Sequence, residues 1–502
     1  MYSHDGSIHS YLQNRQLEMK PFASNAAVQT KVLCGSPFLM GKYAKYRVFK
    51  GHNGCVNSVV FTDDGNTVIT GSDDTCVKFY STHSGDLITT YATAHTRNIF
   101  FAKDIAFSQG TRLLTCAADG CVMVSDVNSS HSHERIYKHR GRAHRIALVP
   151  NSPDCFLSTG EDGSCCLFDL RLGSACGDSV VGRVMFKDEY RSSRSIFSVD
   201  VNPSSPWSVC LGGELAQAQQ YDLRNFTEPD RYFAPLHMVG ADGAHMTGVK
   251  YSTTGTELLL SYSGERIYAM DVERHGRADA LEGEIEQPQL DGDGNSHGEG
   301  NGGGTLSVSE ERARRGGYVQ SFSGHLNSDT VKSVAWLGSR SEFVCTGSDC
   351  GHVFIWARAS GALVKLLKAD ARGAVNCLTP HPFLPYLATS GLSHDAKLWA
   401  PVGEYTSYDH VRGGGATLAE LRVTDESGWV PEGRAELELE ASRQAAVAEA
   451  LMSRNARLEG RRAHAVSSSR VGSSESMRNL LRSYYRTVPA SLLAVFGHNR
   501  RT

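Results

Sequence analysis

The 502-residue chain is 40% hydrophobic and 21% charged, with a net charge of −3; this is an ordinary globular composition whose charge balance gives no global field toward nucleic acid or membrane. Thirteen scattered cysteines form no C-x-x-C pair, which fits a reducing compartment, cytoplasm or nucleus, better than a disulfide framework. The first thirty residues lack the apolar core of a signal peptide and no run is long enough to span a bilayer, so secreted and integral-membrane readings are set aside.

In chain order, residues 1–45 form an extension. Within it SIHSYLQNRQLEMKP places Ile8, Tyr11, Leu12 and Met19 on one side of a short helix that Pro21 stops. Amphipathicity alone leaves two uses open, packing on the chain's own body or docking on a partner.

From residue 46 a unit recurs. GSDDTCVKFYS, AADGCVMVSD, GEDGSCCLFD, GGELAQAQQYD, SYSGERIYAMD, GSDCGHVFIW and GLSHDAKLW end successive copies at Tyr80, Ser125, Phe168, Tyr221, Met270, Trp356 and Trp399. The steps are 45, 43, 53, 49, 86 and 43 residues. Each unit runs from an alternating stretch such as VNSVVF through a Gly turn to a second short strand, then through a small-residue turn with Asp to a third. Short strands at this period read as four-stranded propeller blades.

The long step holds residues 278–311, with seven acidic residues before LSVSEE, no Lys or Arg, and the run GDGNSHGEGNGGG. That composition cannot bury a sheet face and reads as a flexible insertion at about 275–316. The count is therefore seven blades over residues 46–402, and YRVF at 46–49 is expected to close the ring as the outer strand of the last blade. Residues 403–502 form a tail. It holds the helix-prone run RAELELEASRQAAVAEALMSRNARLEGRR, a second amphipathic pattern through Met477, Leu480, Leu481, Tyr484 and Tyr485, and ten arginines against two glutamates after residue 450. A basic tail of this kind is read first as a solvating segment.

The stretches GHNGCVNSVVF, GSDDTCVKFY, GEDGSCCLFDLR, VKSVAWLGSRSEFVCTGSDCGHVFIW and AVNCLTPHPFLPYLATSGLSHDAKLWAP resemble the WD-repeat substrate receptors of cullin-4 RING ubiquitin ligases, which bind the adaptor damage-specific DNA-binding protein 1. The likeness is nearest to the associated factor 8 subgroup and runs over residues 49–401, about 70% of the chain. It implies an all-β fold, a single seven-bladed WD-repeat β-propeller with helical or disordered N- and C-terminal extensions.

The resemblance also implies roles. In WD-repeat blades a His, a Ser or Thr, a turn Asp and an aromatic form one buried network. The matching residues are His52, Asp74 and Tyr80 with Thr70 or Ser72, then Asp119, Asp162, His325, Trp356 and Trp399. The Ser/His/Asp set is therefore structural, and no G-x-S-x-G elbow accompanies it. Leu215, Gly264 and Ser393 stand at the turn position of blades four, five and seven, so those blades are expected to rely on packing. HSHERIYKHRGRAHR at 131–145 lacks the Cys or carboxylate pattern of a metal site, and His139 and His144 are assigned to the blade network.

FDLR at 168–171 and YDLR at 221–224 repeat one word in adjacent blades. In the family, an Arg two residues after an aromatic-Asp pair is an adaptor-binding signature. It maps to Asp169 with Arg171 and Asp222 with Arg224. Both guanidinium forks should leave one rim of the ring, suited to carbonyls and carboxylates of a partner. The expectation is a non-catalytic substrate-recognition subunit without cofactor or metal. Its partners would be the adaptor, through it cullin-4 and a RING subunit, and a target protein, with no membrane and no nucleic acid. The alternative is a WD-repeat scaffold in another assembly, unrelated to ubiquitin.

Overall fold

Alternating apolar runs such as VNSVVF and LLTCA become strands because every second side chain meets the neighbouring sheet. The computed structural model describes residues 34–403 apart from 106–107, 109–110, 129–132, 172–181, 187–193, 226–227, 240, 242, 276–316 and 372, together with Ser453 and Asn455. The helix expected near Ile8 to Met19, the Gly/acidic insertion and, apart from Ser453 and Asn455, the two helical patterns of the tail lie outside the described residues.

The described strands form seven four-stranded antiparallel sheets. Six are consecutive meanders whose strands lie between residues 56–92, 99–138, 143–186, 196–233, 246–322 and 334–368. The seventh takes three strands from residues 375–400 and its outer strand from Ala44–Phe49, with Phe49 opposite Ala396 and Ala44 opposite Ala400. Pairing the two ends of the repeat closes the ring and covers a strand edge. In blade five the third strand, Ile267–Asp271, pairs with Gln320–Phe322 on the far side of residues 276–316. The 86-residue step is thus an insertion between two strands of one blade.

Blades are held by apolar side chains caught between neighbouring sheets. Phe156 and Phe168 stack at 4.9 Å in a cluster with Leu114, Val124 and Ile146 from blades two and three. Trp356 and Phe354 do the same between blades five and six. Burying a side chain of this size contributes about 2–3 kcal/mol.

One register feature recurs. Near the start of the innermost strand of six blades the pairing slips by one residue, at Asn57, Phe100, His144, Phe197, Thr247 and Asn376. Such a bulge kinks the strand and re-aims the extra side chain. The meander also sorts the loops. One face of the ring carries the loops entering each innermost strand and the turns between second and third strands. The opposite face carries the ends of the third strands.

Candidate functional site

On the first face, three blades carry matched histidine networks. In blade one the Asp74 carboxylate accepts from His52 Nδ1 at 2.9 Å and from the Asn53 amide at 3.0 Å, while His52 Nε2 meets the Thr70 hydroxyl at 2.7 Å. Burial raises the Asp74 carboxyl, but the His52 and amide hydrogen bonds outweigh it and bring it down to about 2. Tyr80 packs at 5.1 Å on Phe49 and donates to the Lys50 carbonyl at 3.0 Å. Blade two repeats the arrangement with His95, Asp119 and Thr115 at 2.8–3.2 Å. Blade three does so with His139, Asp162, Ser164 and Ser158 at 2.6–3.1 Å. The carboxyls of Asp119 and Asp162 fall well below the usual range, burial again being outweighed by the histidine hydrogen bonds. The reading of the sequence missed His95. Its signal is the offset: His52, His95 and His139 each stand four residues before the first residue of the following innermost strand.

His325 does not join such a network, a correction to the sequence reading. It is buried and packs edge-on against Trp356 at 5.6 Å, and neither ring nitrogen has a hydrogen-bond partner among the described residues. Two changes explain this. The turn position filled by Asp74 in blade one holds Cys350, and the loop after His325 is longer. Asp349, one residue earlier, takes the fully buried Lys332 ammonium together with the amides of Ser328 and Asp329 at 2.7 and 3.0 Å. Trp356 itself donates to the Ser323 carbonyl at 3.2 Å, and Trp399 to the Thr389 hydroxyl at 2.8 Å.

Nor do blades four, five and seven rest on packing alone. In blade seven Asp370 accepts from the Ser393 hydroxyl at 2.7 Å and amide at 2.8 Å, so acid and partner have exchanged sides of the turn. In blade five Asn327 reaches back to Thr247 at 2.9 Å and the Tyr262 carbonyl at 2.8 Å. In blade four Ser195 donates to Glu214 at 3.0 Å. His144 is a second correction: it occupies the bulge of blade three, one element away from the His139 network, and meets Glu161 at 3.2 Å. From the tail, Asn455 is fully buried on blade six and donates to the Gly324 carbonyl at 3.0 Å.

The second face carries the repeated word. Asp169 and Asp222 end the third strands of blades three and four in the same register, opposite Cys155 and Ser208, the former lying within and the latter opening the preceding strand. Each aspartate accepts the amide of the arginine two residues on, at 3.0 and 2.8 Å, and then its guanidinium. Arg171 Nε and Nη2 donate at 2.8 and 2.6 Å; Arg224 Nε and Nη2 donate at 2.9 and 2.6 Å. The Arg171 bond lowers Asp169 to about 2, and the Arg224 bond lowers Asp222. The arginine side chains nevertheless remain 66% and 64% exposed. The carboxylate fixes each fork's orientation and leaves its other donors facing outward. Blades two and five also end their third strands in Asp, at Asp126 and Asp271, but Asn128 and Glu273 hold the place of the arginine. Beside Arg224, in the turn between the first two strands, Trp207 is 52% exposed with the guanidinium 5.6 Å from its ring.

Among the described residues no cluster of His, Cys, Asp or Glu is arranged to hold a metal ion, and no helix is long and apolar enough to cross a membrane. The family model for the WD domain, G-beta repeat, matches residues 44–81 and 316–357. The chain is a WD-repeat propeller. It is 30% identical over 238 residues to human DDB1- and CUL4-associated factor 6, covering 44% of this chain and 27% of the relative. It is 27% identical over 308 residues to Protein ALTERED SEED GERMINATION 2 of Arabidopsis thaliana, covering 54% and 40%. Human WD and tetratricopeptide repeats protein 1 is 26% identical over 258 residues, covering 44% and 38%. The chain thus spans between a quarter and two fifths of the length of these relatives, and it is a distant relative of a DDB1- and CUL4-associated factor.

Proposed function

We propose that this propeller is a non-catalytic substrate-recognition subunit of a cullin-4 RING ubiquitin ligase, of the adaptor-bound receptor type and nearest to the associated factor 8 subgroup. The observation that carries the reading is the pair of identical, exposed aspartate–arginine forks in one register on adjacent blades. Guanidinium groups already aligned by a carboxylate lose little freedom when they dock. Trp207 beside Arg224 supplies the flat apolar surface that arginine anchors commonly accompany. Similarity to a DDB1- and CUL4-associated factor supports an adaptor of that kind, and the setting would be cytoplasm or nucleus. The chain would contribute proximity and orientation by holding a target near the conjugating enzyme, while the chemistry belongs to other subunits.

Affinity purification of the full chain at native level, followed by mass spectrometry, tests this. The adaptor and cullin-4 are expected with the wild type and absent from an Arg171→Ala/Arg224→Ala double variant that melts at the wild-type temperature. Absence of the adaptor from the wild-type purification overturns the reading in favour of a scaffold in another assembly.

A further inference from the structure

We propose that the mouth of the central channel, on the face opposite the arginine forks, is a binding site for a short acidic peptide segment: one carboxylate or phosphate side chain with an apolar neighbour. That the segment belongs to the ligase's target rests on the function proposed above; its chemistry rests on the cavity alone.

The cavity is built by register. Of the six bulge residues, Asn57, Phe100, His144, Phe197 and Asn376 all line it. The bulge that repeats from blade to blade therefore turns one side chain per blade into the channel mouth. Across blades two to four those side chains form a row of rings. Phe100 stacks on His144 at 5.3 Å with planes 11° apart, and His144 meets Phe197 edge-on at 5.1 Å. This row offers an apolar wall for an aromatic or aliphatic side chain.

The charge beside that wall is unbalanced. Arg142 and Arg145 both line the cavity. The nearby carboxylate, Glu161, is shared out: it accepts from His144 at 3.2 Å and from the Arg142 amide at 3.3 Å, and lies 3.9 Å from the Arg142 guanidinium. The Arg145 guanidinium lies 5.3 Å from the Phe101 ring and has no carboxylate partner among the described residues. A half-buried guanidinium has already lost part of its water, and its fork fits carboxylate or phosphate bidentately. Asp329, from blade six across the ring, lines the same cavity. Its charge disfavours a run of acidic residues, or a nucleic-acid backbone, and favours a single acidic group placed toward blade three.

The test uses the full-length chain and an immobilised library of 15-residue peptides. Each carries Glu, phosphoserine, Gln or Lys at its centre, with Phe, Leu or Ser beside it; oligo-uridine serves as a competing probe. Glu- or phosphoserine-centred peptides with Phe or Leu beside the acid are expected to bind in a salt-dependent manner. Which of the two acids binds tighter separates a constitutive from a phosphorylated segment. Arg145→Glu is expected to weaken binding about tenfold or more, and Asp329→Lys, at an exposed position, to tighten it. Equal binding of Gln-centred peptides, no change in either variant, or binding of oligo-uridine alone overturns the proposal. Adaptor co-purification is scored on the same samples. Acidic-peptide binding without the adaptor leaves the site standing and removes the receptor role; the adaptor without acidic-peptide binding does the reverse.

Discussion

The histidine–aspartate pairs of blades one to three and the aspartate–arginine forks of blades three and four use the same contact, a carboxylate accepting two or more N–H groups at about 2.6–3.2 Å. Their settings differ. The pairs are sunk between strands, with His139 1% and His95 5% exposed, whereas the fork arginines are about two-thirds exposed. Under water the same hydrogen bonds contribute little to stability and leave the cation available; out of water they determine the turn geometry. The comparison explains why one set is read as architecture and the other as a docking surface, although a sequence motif presents both as charged residues at a strand end.

The most severe way to break the buried side is Lys332→Ala. It leaves Asp349 buried without its ammonium and is expected to cost about 3–5 kcal/mol, measured as a lowered denaturation midpoint. His139→Ala and His95→Ala should each cost about 2–4 kcal/mol. An effect on the His139 variant no larger than that on an exposed residue would show that the network is dispensable.

Acid sharpens the contrast. His325 is held neutral, its ring brought down to about 4 by burial and then by the Lys332 charge. Its folded value lies below the ordinary value of about 6.5, so the unfolded chain takes the proton first and stability falls as pH drops from about 6.5 to 4. His325→Phe should flatten that part of the stability–pH curve. A second loss is expected below about pH 4, where Asp74 protonates only on approaching about 2 in the folded state.

Arg171→Glu/Arg224→Glu should leave the melting temperature unchanged while abolishing adaptor capture; a drop in stability would place the forks with the architecture instead. The smallest effect is expected at Thr75, which holds φ at 60° where blade two has Gly120 at 79°. Relieving that β-branched residue in Thr75→Gly should raise stability by about 1 kcal/mol.

Much of this was legible beforehand. The 43-residue and 45-residue steps, the glycine–aspartate turns and the split last blade follow from local alternation and turn chemistry, and the structure repeats them strand for strand. The forks were legible because an aspartate and an arginine two positions apart, written twice, carry their own geometry. What stayed hidden were partnerships between loops. Asp370 with Ser393, Asn327 with Thr247, and Lys332 with Asp349 replace the expected network, and each joins residues 17 to 80 positions apart. A substituted turn residue therefore looked like a lost network when the acid or amide had moved to the other loop.

By itself the amino-acid order determined the repeat, its closure and which strands end in an arginine fork, because strand alternation, tight turns and i to i+2 hydrogen bonds act within a few residues. Only the closed ring decided which polar groups of different loops become partners, that Asn455 is buried on blade six, and that bulge residues from blades one, two, three, four and seven meet at one channel mouth. Those outcomes depend on how seven separate sheets are turned toward a common axis, and no local interaction encodes that.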